Sequence, residues 1–300
     1  MTQQRKAYCF GLAAVLCWST VATAFKISLS YLSPAQMLLI ASLVSTTVLT
    51  VTLHYQGGLK ALRQLSPRDI VTSFAFGALN PTLYYLVLFQ AYDVLSAQQA
   101  QAINYTWALT MALLAVPLLG QRLRRQDIIA ALLCYCGVLY IATGGQPLAL
   151  QFDNTTGVLL ALASTVIWAL YWILNTRDKR PALLGLLLNF ACSLPLIALY
   201  CLVHDEFHAV PWQGVVGASY IGIFEMGLAF VFWLQAMKLT DSTAKISNLI
   251  FISPFLSLLL IAGLLGEVIL PSTLFGLAMI IVGLLCQQGV FRLPRKSTSQ

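Results

Sequence analysis

Long apolar runs separated by short polar stretches recur ten times along the chain. A helix needs about 20 predominantly apolar residues to cross the hydrocarbon core of a bilayer, and each run is of that order. The pattern predicts spans at 7–28, 34–53, 70–89, 95–118 and 127–143, and again at 156–175, 181–203, 212–237, 242–265 and 270–291. The connections are short, and none is long enough to hold a soluble domain.

Composition turns this pattern into a class. Of the 300 residues 59% are apolar and 9% charged, with a mean hydropathy of +0.82. A soluble domain carries about 25% charged residues, so this chain cannot cover a water-facing surface. A cytosolic enzyme, a nucleic-acid binder and a disordered chain are excluded, and an all-α integral membrane protein is expected. The seven cysteines all lie in apolar runs. Their odd number and placement read as packing residues, neither a disulfide framework nor a zinc site.

The net charge of +7 gains meaning from its distribution. With ten spans, one side of the membrane would hold Arg5, Lys6, Lys60, Arg63, Arg68, Arg122, Arg124, Arg125, Arg177, Lys179, Arg180, Lys238, Lys245, Arg292, Arg295 and Lys296. These are 16 of the 17 basic residues. The other side holds Lys26 alone, with Asp93, Asp153, Asp205, Glu206 and Glu267. The positive-inside rule makes the basic side cytoplasmic and puts both termini there. Arg5-Lys6, the apolar run and Ala22-Thr23-Ala24 also fit a cleavable signal peptide. Against that, the apolar stretch continues past the cleavage point and has a partner in the second half.

That partner belongs to an internal repeat. Trp18 pairs with Trp168, Pro34-Ala35 with Pro181-Ala182, and Gln90-Ala91 with Gln235-Ala236. Leu118-Leu119-Gly120-Gln121 pairs with Leu264-Leu265-Gly266-Glu267, and Gly137-Val138-Leu139 with Gly283-Leu284-Leu285. The offset stays between 145 and 150 residues. The expected organisation is a five-helix repeat at 7–143, a second at 156–291, and a basic cytoplasmic tail at 292–300. Because five is odd, the second copy enters the membrane from the opposite side. Inverted repeats recur in secondary transporters, with the substrate held between the halves near the midplane.

Ten spans as five plus five, with a tryptophan in the first span of each repeat, resemble the drug/metabolite transporter superfamily, and within it the EamA type. The residues that carry the resemblance are Leu16-Cys17-Trp18-Ser19-Thr20, Ser164–Ala169 around Trp168, Pro254, and Gly266-Glu267. Asn104-Tyr105-Thr106-Trp107 is similar to members that export aromatic and other amino acids. The first half departs from the family pattern: Trp107-Ala108-Leu109 stands where a proline is usual, and Gly120-Gln121 where Gly-Glu is usual. The resemblance implies a multi-pass protein of the bacterial inner membrane that carries small metabolites, mostly outward.

Polar residues inside the spans are the candidates for substrate contact, because each is costly there unless paired, hydrated or protonated. Glu225 lies near the middle of the eighth span, and Asn80, beside Pro81, is its counterpart in the third. Glu225 reads either as a contact for a substrate amine or a proton, or as a hydrogen-bonded structural acid. Gln98, Gln101 and Asn104 share one helical face ahead of Tyr105 and Trp107. That face looks at a cavity or at other helices. Lys26 reads as a lysine snorkelling to the outer interface, as the cation for a substrate carboxylate, or as a partner for Glu225. Asp241 and Lys245 are spaced to pair at the start of the ninth span, and Glu267 to cap the tenth. Deep aromatics, Trp18, Tyr105, Trp107 and Trp168 among them, suit an amphipathic or aromatic solute.

The expected function is therefore a secondary transporter of amino acids or related amphipathic solutes, working by alternating access. No cofactor is called for, since no phosphate loop is present and the histidines lie at or outside span ends. The expected partners are a small-molecule substrate, the lipid bilayer and protons as coupling ion. Nucleic acid is not expected, a monomer suffices, and a dimer remains open. The alternative is a non-transporting membrane sensor or assembly protein.

Overall fold

A computed structural model describes residues 2–121, 125–148, 154–241, 246 and 248–287. In these residues the chain is helical throughout its ordered elements. The helices are α1 (Gln3–Leu29), α2 (Pro34–Tyr55), α3 (Pro67–Val94), α4 (Ala97–Leu119), α5 (Arg125–Ala142), α6 (Thr155–Asn175), α7 (Ala182–Val203) and α8 (Trp212–Leu239). Two shorter apolar helices follow, α9 (Leu249–Leu265) and α10 (Pro271–Gln287). The first eight are long and apolar enough to cross a membrane. Lys245, and with it the expected pair to Asp241, lies outside the described residues, as do Asp153 and the tail.

Helix starts follow from local chemistry. Ser33 accepts from the Gln36 amide while the Gln36 side chain accepts from the Ser33 amide, with Pro34 opening α2. Ser66 and Asp69 build the same reciprocal cap before α3, again with a proline first. Asn154 caps α6 through the Gly157 amide at 2.8 Å. Helices α4 and α9 end on Gly120 and Gly266, both in the left-handed region at φ 67°, where glycine carries no Cβ penalty.

The packing repeats across a pseudo-two-fold. Helix α1 of the first half lies against α8 and α9 of the second, and α6 lies against α3 and α4 of the first. Helix α2 packs on α7 and α8, while α7 packs on α2 and α3. Helices α5 and α10 pack on each other. Exchanging the two halves maps this set of neighbours onto itself, as an inverted five-plus-five arrangement requires. Two crossings depend on missing side chains. A Cβ at Gly222 would strike the Ala41 carbonyl of α2, and one at Gly276 the Ile141 side chain of α5. Small residues at such points let membrane helices approach closely.

The third helix of each half is irregular at the same place. Helix α3 breaks at Asn80, whose φ of −145° and ψ of 118° are extended, just before Pro81. In α8 the matching stretch, Ile221–Leu228, stays helical but widens to a π-type turn. Widened turns of this kind are frequent at functional sites. The carbonyl of Met226 in the wide turn accepts from Ser45 of α2 at 2.8 Å, so a group displaced from the helical ladder keeps a partner in the absence of water.

Candidate functional site

The two irregular helices contribute to a cluster of aromatic rings. Trp168 of α6 stands at its centre, with its ring centroid 4.4 Å from Tyr84, 5.9 Å from Tyr171, 5.7 Å from Trp172, 6.2 Å from Phe230 and 6.4 Å from Trp107. Trp18, its counterpart in α1, lies 6.2 Å from Phe230 and 5.2 Å from Trp233. Phe230 thus bridges the two tryptophans and joins elements of both halves. Most of these distances and tilts suit favourable aromatic contact, which prefers edge and offset geometries.

Glu225, in the wide turn of α8, reaches this cluster through Tyr85, whose ring centroid lies 4.7 Å from that of Tyr84. Its Oε1 accepts from the Tyr85 hydroxyl at 3.1 Å, while Oε2 is buried without a hydrogen-bond partner among the described residues. Tyr105 and Cys17 lie in electrostatic range of the carboxyl. A buried carboxyl oxygen left open carries a desolvation cost that a bound donor or a proton removes.

Around the break in α3 the polar atoms form a second group. Asn80 is fully buried, and neither of its amide atoms has a hydrogen-bond partner among the described residues. Asn189 of α7 donates to the Tyr171 hydroxyl at 3.4 Å, and its own Oδ1 stays open. The indole N–H of Trp172 is open as well. The break therefore gathers donors and acceptors beside the rings. Sequence reading named Asn80 but missed Asn189, Phe230 and Trp233. The two aromatics carry no signal in so apolar a chain, although Asn189 was legible as an amide inside a span.

The amide face of α4 divides. Gln101 is buried one turn before Tyr105, and Asn104 donates to Ser164 of α6 at 3.1 Å. Gln98 instead faces the connection between α9 and α10. It donates to the Val268 carbonyl at 3.0 Å, donates to Glu267 Oε2 at 3.4 Å, and accepts from the Leu270 amide at 3.1 Å. These are bonds between protein groups, so in this conformation Gln98 is committed to holding helices together.

Two charged residues take roles that the sequence did not indicate. Lys26 neither snorkels freely nor meets Glu225. Its ammonium donates to the carbonyls of Tyr92 and Leu95, both at 2.7 Å, and of Asp93 at 3.3 Å. It caps the C-terminal end of α3, where the last carbonyls lack partners and the helix dipole favours a cation. Glu267, expected to cap α10, caps α4 instead. Its Oε1 accepts from the Ala97 amide at 2.9 Å and its Oε2 from the Gln98 amide at 3.4 Å. The Gly266 turn carries the carboxylate across to the other repeat, which a local reading of the sequence could not reveal.

With the geometry described, likeness to known proteins adds a family. The sequence profile of the EamA-like transporter family matches residues 5–143 and 155–287. The aromatic amino acid exporter YddG of Ancylobacter novellus is 29% identical over 260 residues, covering 84% of this chain and 86% of that protein. A probable terminal-alkyne amino-acid exporter of Streptantibioticus cattleyicolor is 25% identical, covering 90% and 89%. A solved crystal structure shares the fold at a TM-score of 0.64 and 23% identity, covering 95% of this chain and 96% of its own. The multi-pass helical architecture and the family profile agree on a membrane transporter, and the chain belongs to the EamA-like transporter family.

Proposed function

We propose that this chain carries amino acids with aromatic or amphipathic side chains across the bacterial inner membrane, outward, by alternating access between the repeats at 7–143 and 156–291. The observation that carries this reading is the open Glu225 oxygen, on a carboxyl held by Tyr85 at the edge of the aromatic cluster. A carboxylate takes the α-amine, ring faces take the side chain, and a ring face beside the amine strengthens its binding through cation–π attraction. The printed activities of the two relatives, an aromatic amino acid exporter and a probable terminal-alkyne amino-acid exporter, point to the same class of cargo.

In this reading Glu225, Trp168 and Trp18 hold the substrate, with Tyr105, Trp107, Gln101 and Asn80 on the surrounding wall. Lys26 and Gln98 fall outside the binding set, because their polar atoms serve the turn between α3 and α4. A proton on Glu225 competes with the amine, which would couple flux to pH. The basic side of the membrane, with both termini, is cytoplasmic.

Binding to purified protein tests the reading. Phenylalanine and tryptophan should bind, and their analogues lacking the amine should bind at least tenfold more weakly. Equal affinity for an amino acid and its des-amino analogue would remove Glu225 from substrate recognition.

A further inference from the structure

We infer that Lys26 and Glu267 form a charged latch that closes one mouth of the pathway, with the turn between α3 and α4 as its moving part. The inference rests on the transport reading, because a latch has meaning only where a mouth must open and close.

The turn at Leu95–Ser96 separates two helix ends, and each is held from elsewhere in the fold. A helix leaves its last four carbonyls and first four amides without partners. At the end of α3, Lys26 of α1 takes the carbonyls of Tyr92, Asp93 and Leu95, while Asn154 at the start of α6 donates to that of Val94 at 3.4 Å. At the start of α4, Glu267 takes the amides of Ala97 and Gln98. The Gln98 side chain then ties back to Val268 and Leu270. The cation sits at the negative end of one helix dipole and the anion at the positive end of the next. One short turn is thus fastened to α1 of its own repeat and to two separate parts of the other.

At the opposite face the charged contacts are placed differently, with Arg180 of the second half holding Asp69 and Ser73 of α3. Under the pseudo-two-fold, Asn154 corresponds to Gln4, which accepts from the Asp241 amide at 2.9 Å and from Thr240 at 3.2 Å on the turn after α8. A neutral side chain thus ties the turn in both halves, Asn154 as a donor and Gln4 as an acceptor. Lys26, however, corresponds to Thr176, and Glu267 to Gln121. Neither counterpart carries a charge. The two faces are thus fastened by different charged groups, and the Lys26 and Glu267 contacts favour closure at their own mouth. Charges at helix ends support a bias of about tenfold from the pair.

Accessibility reports this without a substrate, so its outcome is independent of which solute is carried. Ala97 is fully buried beneath the latch, and Cys134 is fully buried between α5 and α10. A chain with Ala97→Cys, Cys134 retained and the other six cysteines replaced is reconstituted and treated with a small water-soluble maleimide. We expect Lys26→Met with Glu267→Gln to speed labelling at position 97 about tenfold and to leave Cys134 unchanged. Glu267→Gln alone keeps an oxygen for the Ala97 amide and gives the same reading, with a smaller effect, should the double variant fail to fold. Unchanged labelling at 97 in folded protein would overturn the latch, and so would equal acceleration at Cys134, which reports general loosening.

Discussion

At the scale of single residues, the proposed reading divides recognition between Glu225 and Trp168. Glu225→Gln keeps the shape and the bond from Tyr85 but removes the charge. It should abolish the pH dependence of flux and weaken amine-bearing substrates, while the protein stays folded and inserted. Wild-type flux with a wild-type pH profile in the Gln variant would make Glu225 a structural acid. Trp168 touches five other rings. Trp168→Ala should weaken an aromatic substrate roughly tenfold and an aliphatic one much less, since an aromatic pair contributes about 0.5–1.5 kcal/mol beyond its area. Titration with phenylalanine against leucine reads the difference. Both residues were legible in the sequence, one as a rare carboxylate in a span and the other as half of the tryptophan pair. Their neighbours Phe230 and Asn189 were not singled out, because in this composition only the fold shows which rings and amides converge.

At the scale of elements, the wide turn of α8 rests on two close approaches to α2, and each can be tested by substitution. Ser45→Ala takes the donor from the Met226 carbonyl in the wide turn. It should cost about 0.6 kcal/mol, the average for hydrogen bonds between membrane helices, measured by unfolding in mixed detergent micelles. Gly222→Val forces a side chain against the Ala41 carbonyl. Overpacking of this kind should cost about 1–3 kcal/mol, and a variant as stable as wild type would mean that α2 and α8 are free to separate. Span positions were legible because hydropathy is a local property. The break in α3 was foreshadowed by Pro81, but the wide turn in α8 contains no proline and had no local sign. The partners of Lys26 and Glu267 were hidden for a different reason, since they lie tens of residues or more away along the chain.

At the scale of the whole molecule, the halves are joined on two faces, by the latch on one and by Arg180 on the other. Arg180, between α6 and α7, donates to the Asp69 carbonyl and to Ser73 of α3 and pairs with Asp178 at 2.7 Å. Burial alone would raise the Asp178 carboxyl, but the Arg180 hydrogen bonds and charge outweigh it and hold it below its ordinary 3.8. A carboxyl held low stabilises the fold above its unfolded value and loses that contribution as pH falls through the lowered native one. Melting of the wild type should therefore show an acid-side loss that begins as pH falls towards the ordinary carboxylate range and continues below it, and Arg180→Met should flatten that step. An identical profile in both proteins would leave the pair without thermodynamic weight. In the proposed reading the aromatic cluster with Glu225 moves amine-bearing aromatic amino acids across a membrane. Counterflow in proteoliposomes tests it most directly: vesicles loaded with unlabelled tryptophan, tyrosine or phenylalanine should accumulate labelled phenylalanine, and those loaded with the des-amino analogues should not. Folded, correctly inserted protein that exchanges none of these amino acids, or exchanges the des-amino analogues equally well, would contradict it.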